Sequence, residues 1–121
     1  MKRAKDLTEQ DCNELIAAHL IHFKARPPTG VEPSPATDAI LAHEVLMVLA
    51  QRHPEFDYSL HFVRPAQVIQ EGGNEYMNRD YWFFDTVESG GHCCDSWTRA
   101  MAPTFPLVVC RGALVVMGLA D

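Results

Sequence analysis

No stretch of this sequence stays apolar for the ~18 to 20 residues that a membrane helix needs. The longest candidate, Ala113 to Ala120, is much shorter and contains Gly118, so a membrane-spanning chain is not expected. Positive charge is scarce as well. Lys and Arg total 10 against 16 Asp and Glu, for a net charge of -6, and only Lys2, Arg3 and Lys5 cluster. That balance repels phosphate backbones and anionic lipid, which leaves nucleic acid and membrane surfaces as unexpected partners. The pairs Gly72-Gly73 and Gly90-Gly91 lack the further glycine and the lysine of dinucleotide and P-loop sites. Neither Gly-x-Ser-x-Gly nor His-Glu-x-x-His occurs, and no motif requires a cofactor. After the basic start, Asp6 to Asp11 occupies the place of a signal peptide's apolar region, so a cytoplasmic protein is expected. Its 4 cysteines then read as reduced thiols.

What is present fits one α+β domain over residues 1–121, with 47% hydrophobic and 21% charged residues. Thr8 and Asp11 form a capping-box pattern. Cys12, Leu15, Ile16, His19, Leu20 and Phe23 then recur on one face of a helix from about Glu9 to Lys24. His19 on that stripe reads as a core histidine. A proline-rich loop, Arg26 to Pro33, precedes a second helix from about Pro35 to Arg52, with Ser34 as its cap. That helix is apolar around most of its circumference, which places it centrally, between the first helix and a sheet or against a second subunit.

From Asp57 the period becomes alternating: Tyr58, Leu60 and Phe62 point one way, and Ser59, His61 and Val63 the other. Further strands are read at Gln67–Gln70 and at about Arg79–Val87, separated by the Glu71–Asn74 turn. Asp95 caps a short helix through Met101, and Leu107 to Met117 reads as a hairpin turning at Arg111-Gly112. The expected architecture is two N-terminal helices packed on a mainly antiparallel four- to five-stranded sheet, with the short helix before a C-terminal hairpin. The surplus of apolar surface on the second helix and the closing valine-rich arms predicts a homodimer.

Reactive groups concentrate between Gly90 and Trp97, where His92, Cys93, Cys94 and Asp95 adjoin. Cys94, just before a predicted helix start and near an imidazole, is placed to have its thiol activated, although Asp95 opposes this. Adjacent cysteines direct their side chains apart and no second ligand pair exists, so no metal site is assigned. Asp85, a carboxylate in an otherwise apolar strand, either faces solvent or lines a pocket. Two functions follow. In the first, a small-molecule-binding or protein-interaction module uses His61, Tyr81, Asp85, His92 and Trp97 to bind its ligand in an aromatic-lined pocket or interface. The second is a small thiol- or acid/base-dependent enzyme with Cys93 or Cys94 as nucleophile, His61 or His92 as base, and Asp85 orienting that base or acting as acid.

Overall fold

A computed structural model describes residues 1–20, 33–63, 81–88 and 97–121. After a short 3-10 turn at Ala4–Asp6 come helix α1 (Glu9–His19), helix α2 (Ala39–Arg52), strands β1 (Phe56–Val63), β2 (Tyr81–Glu88) and β3 (Trp97–Ala102), and helix α3 (Phe105–Val116). The fold is α+β. Among the described residues the sheet has three antiparallel strands in the order β1-β2-β3. The expected strand at Gln67–Gln70 and turn at Glu71–Asn74 lie outside the described residues, as do 21–24 of the first helix and the Gly90–Ser96 segment.

Helix α1 starts as its sequence dictates. The Thr8 hydroxyl accepts from the Asp11 backbone N–H at 3.1 Å, while the Thr8 N–H donates back to the Asp11 carboxylate at 3.1 Å. Cys12, Ile16 and Leu20 are buried along one face. His19 is exposed rather than a core residue, and its carbonyl accepts from the Arg52 guanidinium at 3.2 Å.

Helix α2 begins four residues later than Pro35, because Ser34–Thr37 closes a turn of its own, in which the Thr37 N–H donates to the Ser34 carbonyl at 3.1 Å. Asn13 of α1 holds that turn, donating to the Ser34 hydroxyl and accepting from the Ala36 N–H, each at 3.0 Å. Asp38 then caps α2 by accepting from the Ile40 and Leu41 amides.

Two expectations about the C-terminal third are corrected. Trp97–Met101 is not a helix: Trp97–Ala102 is an edge-paired strand against β2. Nor is Leu107–Met117 a hairpin. Thr104 caps it, accepting from the Leu107 N–H at 3.4 Å, Pro106 sits in its first turn, and the segment runs as α3. Gly118 stops it with φ +76°, a left-handed conformation suited to glycine.

This helix, not α2, is the central element. It packs on β2 and β3 and also against α1 and α2. Leu107 through Cys110 and Gly112 through Leu114 are all buried. A helix apolar on every side is stable only where every side is covered, and the protein's own elements supply that cover. The valine-rich segment therefore gives no reason for a second copy. Helix α2 buries Ala42, Val45 and Leu49 on one side and leaves Ile40 and Met47 exposed.

Arg111 projects from α3 as a three-point clamp. Its Nε and Nη2 donate to the Leu7 carbonyl at 3.1 and 2.8 Å, and its Nη1 donates to the Met101 carbonyl at 3.0 Å. One residue on, Gly112 lets α3 settle onto the sheet, because a Cβ there would collide with the Phe84 ring. Phe84 is completely buried by this approach. Since successive strand residues alternate sides, pinning Phe84 beneath α3 sends Asp85 to the opposite, outer face.

Candidate functional site

On the outer face the β1–β2 register sets Ser59 opposite Asp85 and His61 opposite Phe83. By alternation Tyr81, Phe83 and Asp85 share this face, as do Ser59 and His61. Tyr81 and Phe83 are buried in a small cluster with Met101, separate from the main core. The His61 ring tilts over Phe83 with centroids 5.2 Å apart. Its Nδ1 lies 3.4 Å from Asp85 Oδ2.

Asp85 is only 9% exposed, whereas the His61 side chain is 45% exposed. Oδ1 of Asp85 is buried with no hydrogen-bond partner. A buried acceptor left unmatched costs about 1 to 3 kcal/mol, more when charged. No such carboxylate is needed to form a strand, and β-branched or aromatic residues would serve the sheet better. A buried carboxylate beside a half-exposed imidazole can fix the ring's orientation through Nδ1 and leave Nε2 as its working atom.

His61, Tyr81 and Asp85, singled out from the sequence, are thus brought onto one face. Trp97 is not brought to them. It pairs with Thr86 on the inner side and is 65% exposed. There it stacks with Arg99, the residue skipped where the β2–β3 register shifts between Phe84 and Asp85. The Arg99 guanidinium lies 5.3 Å from the Trp97 ring and 5.5 Å from the Phe56 ring, while its Nε donates to the buried Thr86 hydroxyl at 2.8 Å. His92, Cys93 and Cys94 lie outside the described residues. Ser59 and Met101 are neighbours that the sequence reading did not select. The alternation of β1 puts Ser59 on the same side as His61, whereas Met101 follows the Asp95 cap pattern, which reads as a helix and carries no strand signal.

The two described cysteines do not suit nucleophilic work. Burial raises the Cys12 thiol to about 12, with Arg111 acting weakly in the other direction. Burial likewise pushes the Cys110 thiol well above its ordinary range. Both stay protonated at neutral pH, and the thiolate is the reactive form.

A cleft of about 400 Å³ lies elsewhere, between the N-terminal residues, α1 and Leu119. It is aliphatic rather than aromatic, with Leu7 and Leu15 in its lining. Of the charged groups in its lining, Lys2 and Asp11 pair at 3.1 Å, and Glu14 accepts from the Gln10 amide at 3.1 Å. Among the described residues no group of three or more His, Cys, Asp and Glu is placed to hold a metal ion. No described helix is long and apolar enough to cross a membrane. In comparisons with known proteins the chain matches no family model, no curated protein and no solved structure, so the chemistry of the site rests on its own geometry.

Proposed function

We propose that this protein is a small-molecule-binding module whose ligand is held on the outer face of the sheet, with His61 and Asp85 as polar anchors beside Tyr81, Phe83 and Met101. The observation that carries this reading is the buried, half-matched Asp85 carboxylate held against a half-exposed imidazole. Buried polar groups aimed at an otherwise apolar surface are typical of ligand sites, where they fix orientation while apolar neighbours supply contact area. A thermal-shift screen against apolar amines, acids and neutral compounds tests it. At least one class should raise the melting temperature by mass action, and the shift should vanish in His61→Ala. No shift with any class would contradict the reading.

The acid/base alternative draws support from the same pair, since Asp85 on Nδ1 would leave His61 Nε2 able to accept a proton. Its nucleophile would be Cys93 or Cys94. Alkylation of the native protein at neutral pH should then label one of them faster than free cysteine, and labelling no faster than free cysteine would remove the thiol enzyme from consideration. Self-association draws support from Ile40 and Met47, two exposed apolar residues on the same face of α2. Sedimentation equilibrium is the matching test: a dimer should be disrupted by Met47→Glu, and a monomer in the unmodified protein contradicts self-association.

A further inference from the structure

We infer that Trp97 and Arg99 form a docking point for a protein partner that presents a carboxylate beside an apolar side chain. This place lies on the inner side of the sheet, apart from His61 and Asp85, and its role goes beyond the binding-module reading. At its centre is an arginine fixed at one end and open at the other. The register shift between Phe84 and Asp85 leaves Arg99 without an opposite residue on β2, and a bulge of this kind re-aims a side chain. Its Nε donates to the buried Thr86 hydroxyl at 2.8 Å, and the guanidinium lies 5.3 Å from the Trp97 ring and 5.5 Å from the Phe56 ring.

The two terminal nitrogens of Arg99 are unspent. Arg111 gives both of its terminal nitrogens to backbone carbonyls, Arg52 gives one, and Arg3 faces Asp6 at 3.6 Å. Nη1 and Nη2 of Arg99 have no hydrogen-bond partner among the described residues. The one buried, unmatched side-chain nitrogen or oxygen among those residues is Asp85 Oδ1, so both Nη atoms reach solvent. Glu88, exposed and on the same side opposite Phe56, is not paired with them. A guanidinium held by its Nε keeps Nη1 and Nη2 as a planar fork, the geometry that meets a carboxylate with two charge-assisted hydrogen bonds. Holding the fork in place beforehand lowers the cost of ordering it on binding.

Beside the fork, Trp97 is 65% exposed, whereas Phe84, Ala100 and Ala102 on the same side are buried in the core beneath α3. Small molecules are held in concave sites that cover most of their surface. An open indole is better covered by a protein, whose own breadth excludes water around it, and Trp and Arg are the residue types that dominate such contacts. The unpaired cation selects an acidic partner and disfavours a basic one.

The test selects random dodecapeptides displayed on phage against the full-length protein. Selected peptides should carry Asp or Glu next to an aromatic or aliphatic residue. A synthetic peptide of selected sequence should shift the Trp97 indole N–H resonance saturably, and replacing its Asp and Glu by Asn and Gln should weaken binding at least tenfold. Trp97→Ala should weaken it at least tenfold, and Arg99→Lys at least threefold, since lysine keeps the charge without the fork. Trp97 is largely exposed, so its alanine variant decides the matter even if a substitution at Arg99 disturbs the fold. Failure to select any peptide, equal binding of the amide counterparts, or undiminished affinity in Trp97→Ala or folded Arg99→Lys would overturn the docking point. Shifts at His61 without shifts at Trp97 would also overturn it and would assign the contact to the outer face.

Discussion

Single residues hold this fold at a few decisive points, and Arg111 and Gly112 are adjacent examples. Arg111 matches two backbone carbonyls, at Leu7 and Met101, that belong to segments far apart in the chain. Arg111→Ala should cost about 2 to 4 kcal/mol in urea unfolding, because charged hydrogen bonds are lost and half-buried acceptors go unmatched. Lysine, with one compact charge in place of a planar fork, should recover only part of this. A loss under about 1 kcal/mol, the low end for an ordinary hydrogen bond, would show that the clamp is incidental. Gly112→Ala would ordinarily strengthen a helix by about 0.5 to 1 kcal/mol. Here the added methyl meets Phe84, so net destabilisation is expected from the same melt, and a stabilised variant would refute the close approach.

Burial also sets an alkaline limit. The Cys12 thiol rises from 9.0 to about 12 and the Tyr58 phenol from 10.0 to about 12, both chiefly through desolvation. Folding therefore holds protons that the unfolded chain releases, so this stability is complete below about pH 9 and falls as pH rises from there toward 12. Thiolate absorbance should appear together with loss of the circular dichroism signal. With Cys93 and Cys94 replaced by serine, thiolate that forms near pH 9 in a still-folded protein would contradict the burial of Cys12.

At the scale of elements, local signals decided some boundaries and tertiary cover decided others. The Thr8–Asp11 box was readable because capping needs residues only three apart, and the alternation of Tyr58, Leu60 and Phe62 was readable because a half-buried strand repeats every second residue. Thr8→Ala should cost about 1 kcal/mol of stability, a typical value for a lost cap, and a neutral result would mean the box contributes nothing. The Thr8 backbone N–H, and next Lys2, hold the Asp11 carboxyl below its usual 3.8. The depressed value means that the cap's support is in place above about pH 3.8 and is lost as pH falls through the lowered value.

Segment 105–116 was not readable in this way. An apolar run rich in valine satisfies a buried strand and a buried helix equally, and its glycine imitated a turn. What settled it was the space between the sheet, α1 and α2, which a helix fills on all sides. Trp97–Ala102 misled for a related reason, since Asp95 offered a helix cap while the strand's partner, β2, is set by long-range register. The candidate site divides similarly. Asp85 and His61 could be selected singly by residue type and strand pattern, but their 3.4 Å meeting depends on a register that pairs Ser59 with Asp85, and no local pattern encodes that.

For the whole molecule, one sheet has two faces. The inner face is closed by α3, with Phe84, Ala100 and Ala102 in a continuous core. The outer face carries a separate aromatic pair and a buried carboxylate with one oxygen unmatched. The central claim is that Asp85 is present for a ligand and not for stability. Equilibrium urea unfolding of Asp85→Val, without ligand, tests that claim most directly. Valine suits a strand and removes the unmatched oxygen, so the variant should be as stable as the original or more stable by about 1 to 3 kcal/mol, the cost of the orphaned acceptor. A loss of about 3 kcal/mol or more, the range that begins when a structural buried pair is broken, would show that the carboxylate supports the fold and would contradict the account.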